Sequence, residues 1–183
     1  MERAKALKAV TDNVKNVNLV KHMLATEAIM RALAQKFGEN EDEWGLAGLL
    51  HDIDIEILGE DMKDHGKLSS EMVQEMGGSS AITHAILCHN PAMGIECENL
   101  IDKALLCSDP LTGLITAGAL IRPEKKLSFV QASSIRKRFK EKSFAAGANR
   151  DQIASCSSLG LTLDEFISLG LGAMQGISEE LGL

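Results

Sequence analysis

Tyrosine is absent from this 183-residue chain, and one tryptophan and five phenylalanines supply its whole complement of large aromatic rings. A core so poor in aromatics has to be assembled from Leu, Ile, Ala, Val and Met, which favours helix packed on helix over an aromatic-rich sheet. The same scarcity, combined with a net charge of −7, argues against a nucleic-acid partner, which calls for stacking rings and a basic face. No stretch reaches the roughly 18 uncharged apolar residues of a membrane span, so no membrane partner is expected. The opening Met-Glu-Arg-Ala-Lys-Ala-Leu-Lys lacks the apolar segment of a signal peptide, and a cytoplasmic protein is expected. Cys88, Cys97, Cys107 and Cys156 show no Cys-x-x-Cys spacing, so they read as small buried hydrophobes. Cys88 and Cys107 nevertheless stand within two residues of His or Asp, which leaves a thiolate ligand for a soft metal open. No repeat, low-complexity tract or linker divides the chain, which points to a single domain over residues 1–183.

Helical periodicity runs through nearly all of it. Val17 to Phe37 spaces Val20, Met23, Leu24, Ala28, Met30, Leu33 and Ala34 at three- and four-residue steps, and Gly38 ends the run. Glu41-Asp42-Glu43 places acid in the first turn of a segment that stays apolar to Leu50. Residues 54–63 lose the pattern and read as a loop at the mouth of a site. A short helix follows from about His65 to Met76, then Gly77-Gly78 as a stop and Ser79-Ser80 as the cap of a helix carrying His84 and His89. Asp109-Pro110 reads as a break, with Asp109 capping a new segment whose first residue is Pro110. Thr162-Leu-Asp-Glu opens a packing helix to about Leu181 with a capping box.

All five histidines precede residue 90. His22, His51, His65, His84 and His89, with Asp52 beside His51 and Asp109 downstream, offer imidazole nitrogens and carboxylate oxygens that together suit Mn, Fe, Ni, Co or Zn. A metal held in this way lowers the pKa of a water and polarises a phosphoryl oxygen. His84 and His89 lie five residues apart, a rotation of about 140° on a helix, so they cannot share a face. His89 at the helix end is the better ligand, and His84 a supporting or structural residue.

The series His22, His51-Asp52, Asp109 resembles the signature of the HD superfamily of metal-dependent phosphohydrolases. Gly48-Leu-Leu-His-Asp-Ile-Asp54 is similar to the H-D-I-G type of centre, with Asp54 in the place of Gly. Further resemblance lies in His65-Gly-Lys-Leu-Ser-Ser-Glu, in Ala-Ile-Leu-Cys-His89-Asn-Pro and in Cys-Ser-Asp109-Pro-Leu-Thr-Gly-Leu-Ile. The resemblance implies an all-α, single-domain bundle of about seven to nine helices, with a metal-ligand core over about residues 16–120 and packing helices over about 127–183. It implies a first metal on His22, His51, Asp52 and Asp109, and a second, where two are bound, on His65 and His89 with Asp52 bridging.

The function so implied is hydrolysis of a phosphate ester on a small phosphorylated substrate such as a nucleotide. Nucleotidases of the superfamily keep an acid three residues after the motif Asp, where this chain has Ile55, and the Gly-Tyr-Pro element of cyclic dinucleotide phosphodiesterases is missing. Asp54 and Glu56 remain candidates for proton donation to the leaving group, alongside a role for Asp52 in catalysis. The basic stretch between Arg122 and Lys142 reads either as a solvated helix face or as a source of phosphate-binding cations, with Arg122, Lys126 and Lys142 as the candidates. A metal-containing binding or regulatory module without turnover is the competing reading. Oligomeric state is not encoded in any of these patterns.

Overall fold

Helix caps divide the chain where side chains relieve unpaired amide groups. In a computed structural model, which describes residues 1–59 and 62–183, the side chain of Asn16 accepts from the Asn18 amide to start α2 (Val17–Phe37), after α1 (Arg3–Asn13). Gly38 closes α2 at φ 72°, a left-handed conformation in which a Cβ would be strained. Asn40 accepts from the amides of Asp42 and Glu43 and starts α3 (Glu41–Leu50), with the acids of its first turn facing the positive end of the helix dipole. Ser79 starts α6 (Ser80–His89) as the sequence indicates, and the Thr162–Glu165 capping box starts α10 (Leu163–Gly176).

The remaining helices are α4 (Ile55–Leu58), α5 (Lys67–Glu75), α7 (Leu100–Leu120), α8 (Ala132–Phe139), α9 (Arg150–Ala154) and α11 (Ser178–Leu181). No strand occurs among the described residues, and none of their helices is long and apolar enough to cross a membrane. The expected all-α bundle is present, though with more pieces than expected. α4 and α11 are four-residue helices, too short to produce a readable period. The expected loop over residues 54–63 is therefore part helix, and its residues Glu60 and Asp61 lie outside the described residues.

The expected break at Asp109-Pro110 does not occur. α7 runs unbroken from Leu100 to Leu120 with Pro110 inside it. An interior proline costs a helix about 3 kcal/mol. Leu105, Leu111, Leu114 and Ile115, all fully buried on either side of it, offset that by about 1.5–3 kcal/mol each.

α2 lies at the centre, packed by α3, α7 and α10, while α6 spans from α5 to α7. The α2–α3 contact is close enough to require glycine: a Cβ on Gly48 would lie 2.9 Å from the Glu27 amide and the Thr26 carbonyl. Buried Glu27 ties α1 to the same helix through a two-pronged pair with Arg3, at 2.6 and 2.9 Å, and accepts from Arg31 at 2.9 Å. This packing fixes the ends of α3 and α6 relative to the middles of α2 and α7.

Candidate metal centre

Four imidazoles from different elements turn their Nε2 atoms toward Asp52. Asp52 Oδ1 lies 3.2 Å from His51, 3.3 Å from His65 and 3.4 Å from His89, and Oδ2 lies 3.5 Å from His22. His22 Nε2 is also 3.1 Å from Asp109 Oδ1 and 3.1 Å from His51 Nε2, and His89 Nε2 is 3.3 Å from His65 Nε2. The rings of His51 and His89 meet edge to face at 5.1 Å, so the two ends of the cluster are continuous.

Each ring is aimed by what its other nitrogen touches. His51 follows the end of α3 and its Nδ1 donates to the Gly48 carbonyl three residues back, at 2.8 Å. His89 ends α6 and makes the same bond to the Ile86 carbonyl. His22 Nδ1 lies 2.8 Å from Thr112 Oγ1, whose own hydrogen goes to the Asp109 carbonyl at 2.8 Å, so the hydroxyl is left to accept from the ring. His65 Nδ1 donates to Asp54 Oδ1 at 2.9 Å. With every Nδ1 engaged, each Nε2 faces the interior of the cluster, where a metal that takes the place of any proton there meets the tautomer it requires. Side chains outside the expected set do much of this work. Thr112 stands three residues after Asp109 on one helix, and Gly48 and Ile86 each stand three before a histidine at a helix end.

The electrostatics match. Burial works against a charge on His22, but the Asp109 and Asp52 carboxylates outweigh it and hold the ring up at about 9. His65 is likewise held at about 9, burial being overcome by Asp52 and Asp54. Burial alone would raise the carboxyls of Asp52 and Asp109, yet the surrounding imidazoles pull both below the usual carboxylate range. The cluster is a preformed alternation of bases and anions with two overlapping sets of donors, His22–His51–Asp109 and His51–Asp52–His89. Its nitrogen and oxygen donors fit a divalent transition metal. His51 is fully buried, whereas His22 and Asp109 keep about a quarter of their side-chain surface, so the cluster opens on their side.

A cleft of about 460 Å³ adjoins that open side, bordered by His22, Lys21, Asn18, Thr116, Leu120 and Leu181 among others. Lys21 is the lysine on its border, a residue that sequence reasoning missed. Standing immediately before His22, it carries no local mark to distinguish it from other surface lysines.

The HD domain family model matches residues 19–139. The chain belongs to the HD domain family. Curated relatives include Ribonuclease Y of Syntrophobacter fumaroxidans, 28% identical over 96 residues, which are 52% of this chain and 18% of that protein. Ribonuclease Y of Chloroflexus aurantiacus is 32% identical over 73 residues, covering 40% of this chain and 14% of that protein. The chain thus spans less than a fifth of the length of either relative. No solved structure matches at a significant level.

Several expected participants stand away from this HD centre or do another job. Asp54 is fully buried, accepts from His65 and from the amides of Gly66 and Ser69, and is held below the usual carboxylate range by these bonds against the effect of burial. Both of its oxygens are taken up as acceptors, and the bond to His65 Nδ1 positions that ring. Glu56 faces solvent and accepts from the amides of Lys15 and Asn16, which occupies both of its oxygens. Arg122 pairs with Glu124 at 3.7 Å, and neither it nor Lys126 nor Lys142 borders the cleft, the two lysines being exposed. His84 touches none of the four clustered histidines and faces Asp102 and Cys88 instead.

Proposed function

We propose that the chain is a metal-dependent phosphoric ester hydrolase acting on a small phosphorylated substrate, nucleotides included. The carrying observation is the convergence of four Nε2 atoms on Asp52, each ring held by a partner at Nδ1. His22, His51, Asp52 and Asp109 would hold one Mn, Fe, Ni, Co or Zn ion, and His65 and His89 a second, with Asp52 shared. The placement of Asp52 between the two sets supports that sharing, since Oδ2 faces His22 while Oδ1 faces His51, His65 and His89 together. The bound metal supplies Lewis acidity at a phosphoryl oxygen and a lowered pKa for water.

The chain's own contribution is placement. Lys21, one residue from a ligand, offers a charge to the phosphate in the cleft, and the Asn18 and Thr116 side chains add hydrogen-bonding groups. Leu120 and Leu181 give the non-phosphate part of the ester an apolar wall. Burial of His51, His89 and Asp54 keeps water from the rear of the centre, so the reacting group enters from the His22 and Asp109 side.

The relatives' printed name puts phosphodiesters on the list of substrates to try, although this chain's net charge of −7 disfavours a long RNA track. The test is metal analysis of anaerobically purified protein, followed by a panel of phosphomonoesters, nucleoside phosphates, cyclic nucleotides and a short RNA. Turnover that vanishes on chelation and returns with one of the transition metals is the expected result. Metal binding without turnover on any of them would favour the non-catalytic binding module.

A further inference from the structure

α6 delivers His89 to the metal centre and presents another set of donors elsewhere on its surface. His84 and Cys88 are one turn apart, and His84 Nδ1 lies 3.4 Å from Cys88 Sγ and 3.0 Å from Asp102 Oδ2 in the first turn of α7. One donor atom from each of the three falls within 4.8 Å of the others. Cys97, in the segment joining the two helices, places its thiol against the Cys88 carbonyl at 3.9 Å.

Helix capping accounts for only half of Asp102. Its Oδ2 accepts from the amides of Glu98 and Asn99 and from the Asn99 side chain, as a capping box requires, and takes the His84 contact as well. Its Oδ1 is buried without any hydrogen-bond partner, on a side chain that is fully buried. The described arginines and lysines form no ion pair with this carboxylate, so its buried charge lacks a cation, and Oδ2 is the oxygen it turns to His84.

We propose that His84, Cys88 and Asp102 form a second site for a thiophilic divalent cation of the zinc type, with Cys97, whose thiol stands beside Cys88 outside this trio, as the fourth donor once it closes in. Imidazole, thiolate and carboxylate are the donors zinc accepts in four-coordinate sites. With zinc bonds of about 2.0–2.1 Å to nitrogen and oxygen and about 2.3 Å to sulfur, tetrahedral geometry separates N from S by about 3.6 Å and N from O by about 3.3 Å. The distances here, 3.4 and 3.0 Å, need open by only a few tenths of an ångström. His84 keeps a third of its side-chain surface, which gives the ion an entry path. An ion there would clamp α6 to the start of α7, the helices that carry His89 and Asp109. Its role is structural, and it stands independently of the hydrolase reading.

Sulfur separates the two sites experimentally, because no cysteine is among the donors gathered around Asp52. Titrating the full chain with cobalt(II) should produce a thiolate-to-cobalt charge-transfer band in the near-ultraviolet that zinc displaces. Cys88→Ala should abolish the band and lower the bound zinc by one ion per chain, while the nitrogen- and oxygen-ligated ions stay. His84→Gln, at a position that keeps a third of its side-chain surface in solvent, should also lose the displaceable ion. No band in cobalt-saturated wild-type protein, a band that survives Cys88→Ala, or equal zinc content in wild type and both variants would overturn the site.

Discussion

The cleft beside His22 and the basic stretch from Arg122 to Lys142, with Arg150 just beyond it, are opposites in composition, and both carry residues suited to phosphate. In the cleft, one lysine stands next to a cluster of bases and anions whose every ring is held by a neighbour. In the basic stretch, the arginines are spent locally. Arg138 pairs with Glu141 at 2.6 Å and lies over the Phe144 ring, and Arg136 reaches Asp164 at 2.9 Å. Arg150 donates to the carbonyls of Phe139, Glu141, Phe144, Ala145 and Ala148, tying down the turn after α8. Cationic density along the chain is therefore a poor guide to where an anion binds. What distinguishes the cleft is convergence from separate elements on a common point, with the supporting bonds already made.

The severest way to break the comparison is to remove that point. Asp52→Ala takes from four imidazoles the carboxylate they share, and should abolish both metal binding and hydrolysis while leaving the helical circular dichroism near wild type. An equivalent deletion beside the basic stretch, Arg150→Ala, should instead lower the melting temperature and leave metal content unchanged, since its partners are backbone carbonyls. Metal content retained in Asp52→Ala would mean that the convergence has no ligand role.

Acidity sharpens the contrast next. In metal-free protein His22 and His65 are held at about 9, above the ordinary 6.5 of an exposed ring. Their pairing with the carboxylates stabilises the metal-free fold fully below pH 6.5, and that stability is lost as the pH rises through about 9. Metal binding runs the other way, because ions compete with those protons, so affinity should climb with pH until it levels near 9. Thermal melts with and without metal from pH 6 to 9.5 should diverge as pH increases. A metal-induced shift that does not depend on pH would contradict the charged state of these rings.

Gly48→Ala probes the scaffold rather than the ligands. The added methyl would lie 2.9 Å from the α2 backbone, too close for α3 to remain in place, and a loss of about 1–3 kcal/mol is expected from overpacking of this kind. The same shift would move the carbonyl that aims His51, so weaker metal binding should accompany the lower melting point. A melting temperature equal to wild type would show that the helices have room the structure does not indicate.

How much of this the sequence revealed depends on how far each effect travels along the chain. His51-Asp52, His22, His65, His89 and Asp109 were legible because their chemistry is borne by residue type and their spacing resembles that of a family. The end of α3 and the cap at Ser79 were legible because capping is local. Lys21 and Thr112 were not, because each matters only through a neighbour from another helix, and Pro110 misled because burial of the leucines around it outweighs a local preference. Asp54 was legible as an acid near the centre, but its three donors come from residues 11 to 15 positions further on and left no local signal. The Nδ1 bonds of His51 and His89 to carbonyls three residues earlier did leave a signal, a histidine at the end of a helix in each case.

The smallest expected effects separate the two regions most cleanly, because they leave fold and metal untouched. Lys21→Ala should raise KM for a phosphorylated substrate about tenfold, the equivalent of about 1.4 kcal/mol, since it removes a charge from a cleft that has no other lysine or arginine among the described residues on its border. Lys126→Ala and Lys142→Ala should leave KM and kcat within about twofold of wild type, being exposed and outside the cleft. Added salt should weaken substrate binding in the wild type more than in Lys21→Ala, because the charge that salt screens has been removed in the variant. If Lys126→Ala or Lys142→Ala raised KM as much as Lys21→Ala, phosphate would have to be reaching the basic stretch, and the cleft would lose its claim to be where substrate binds.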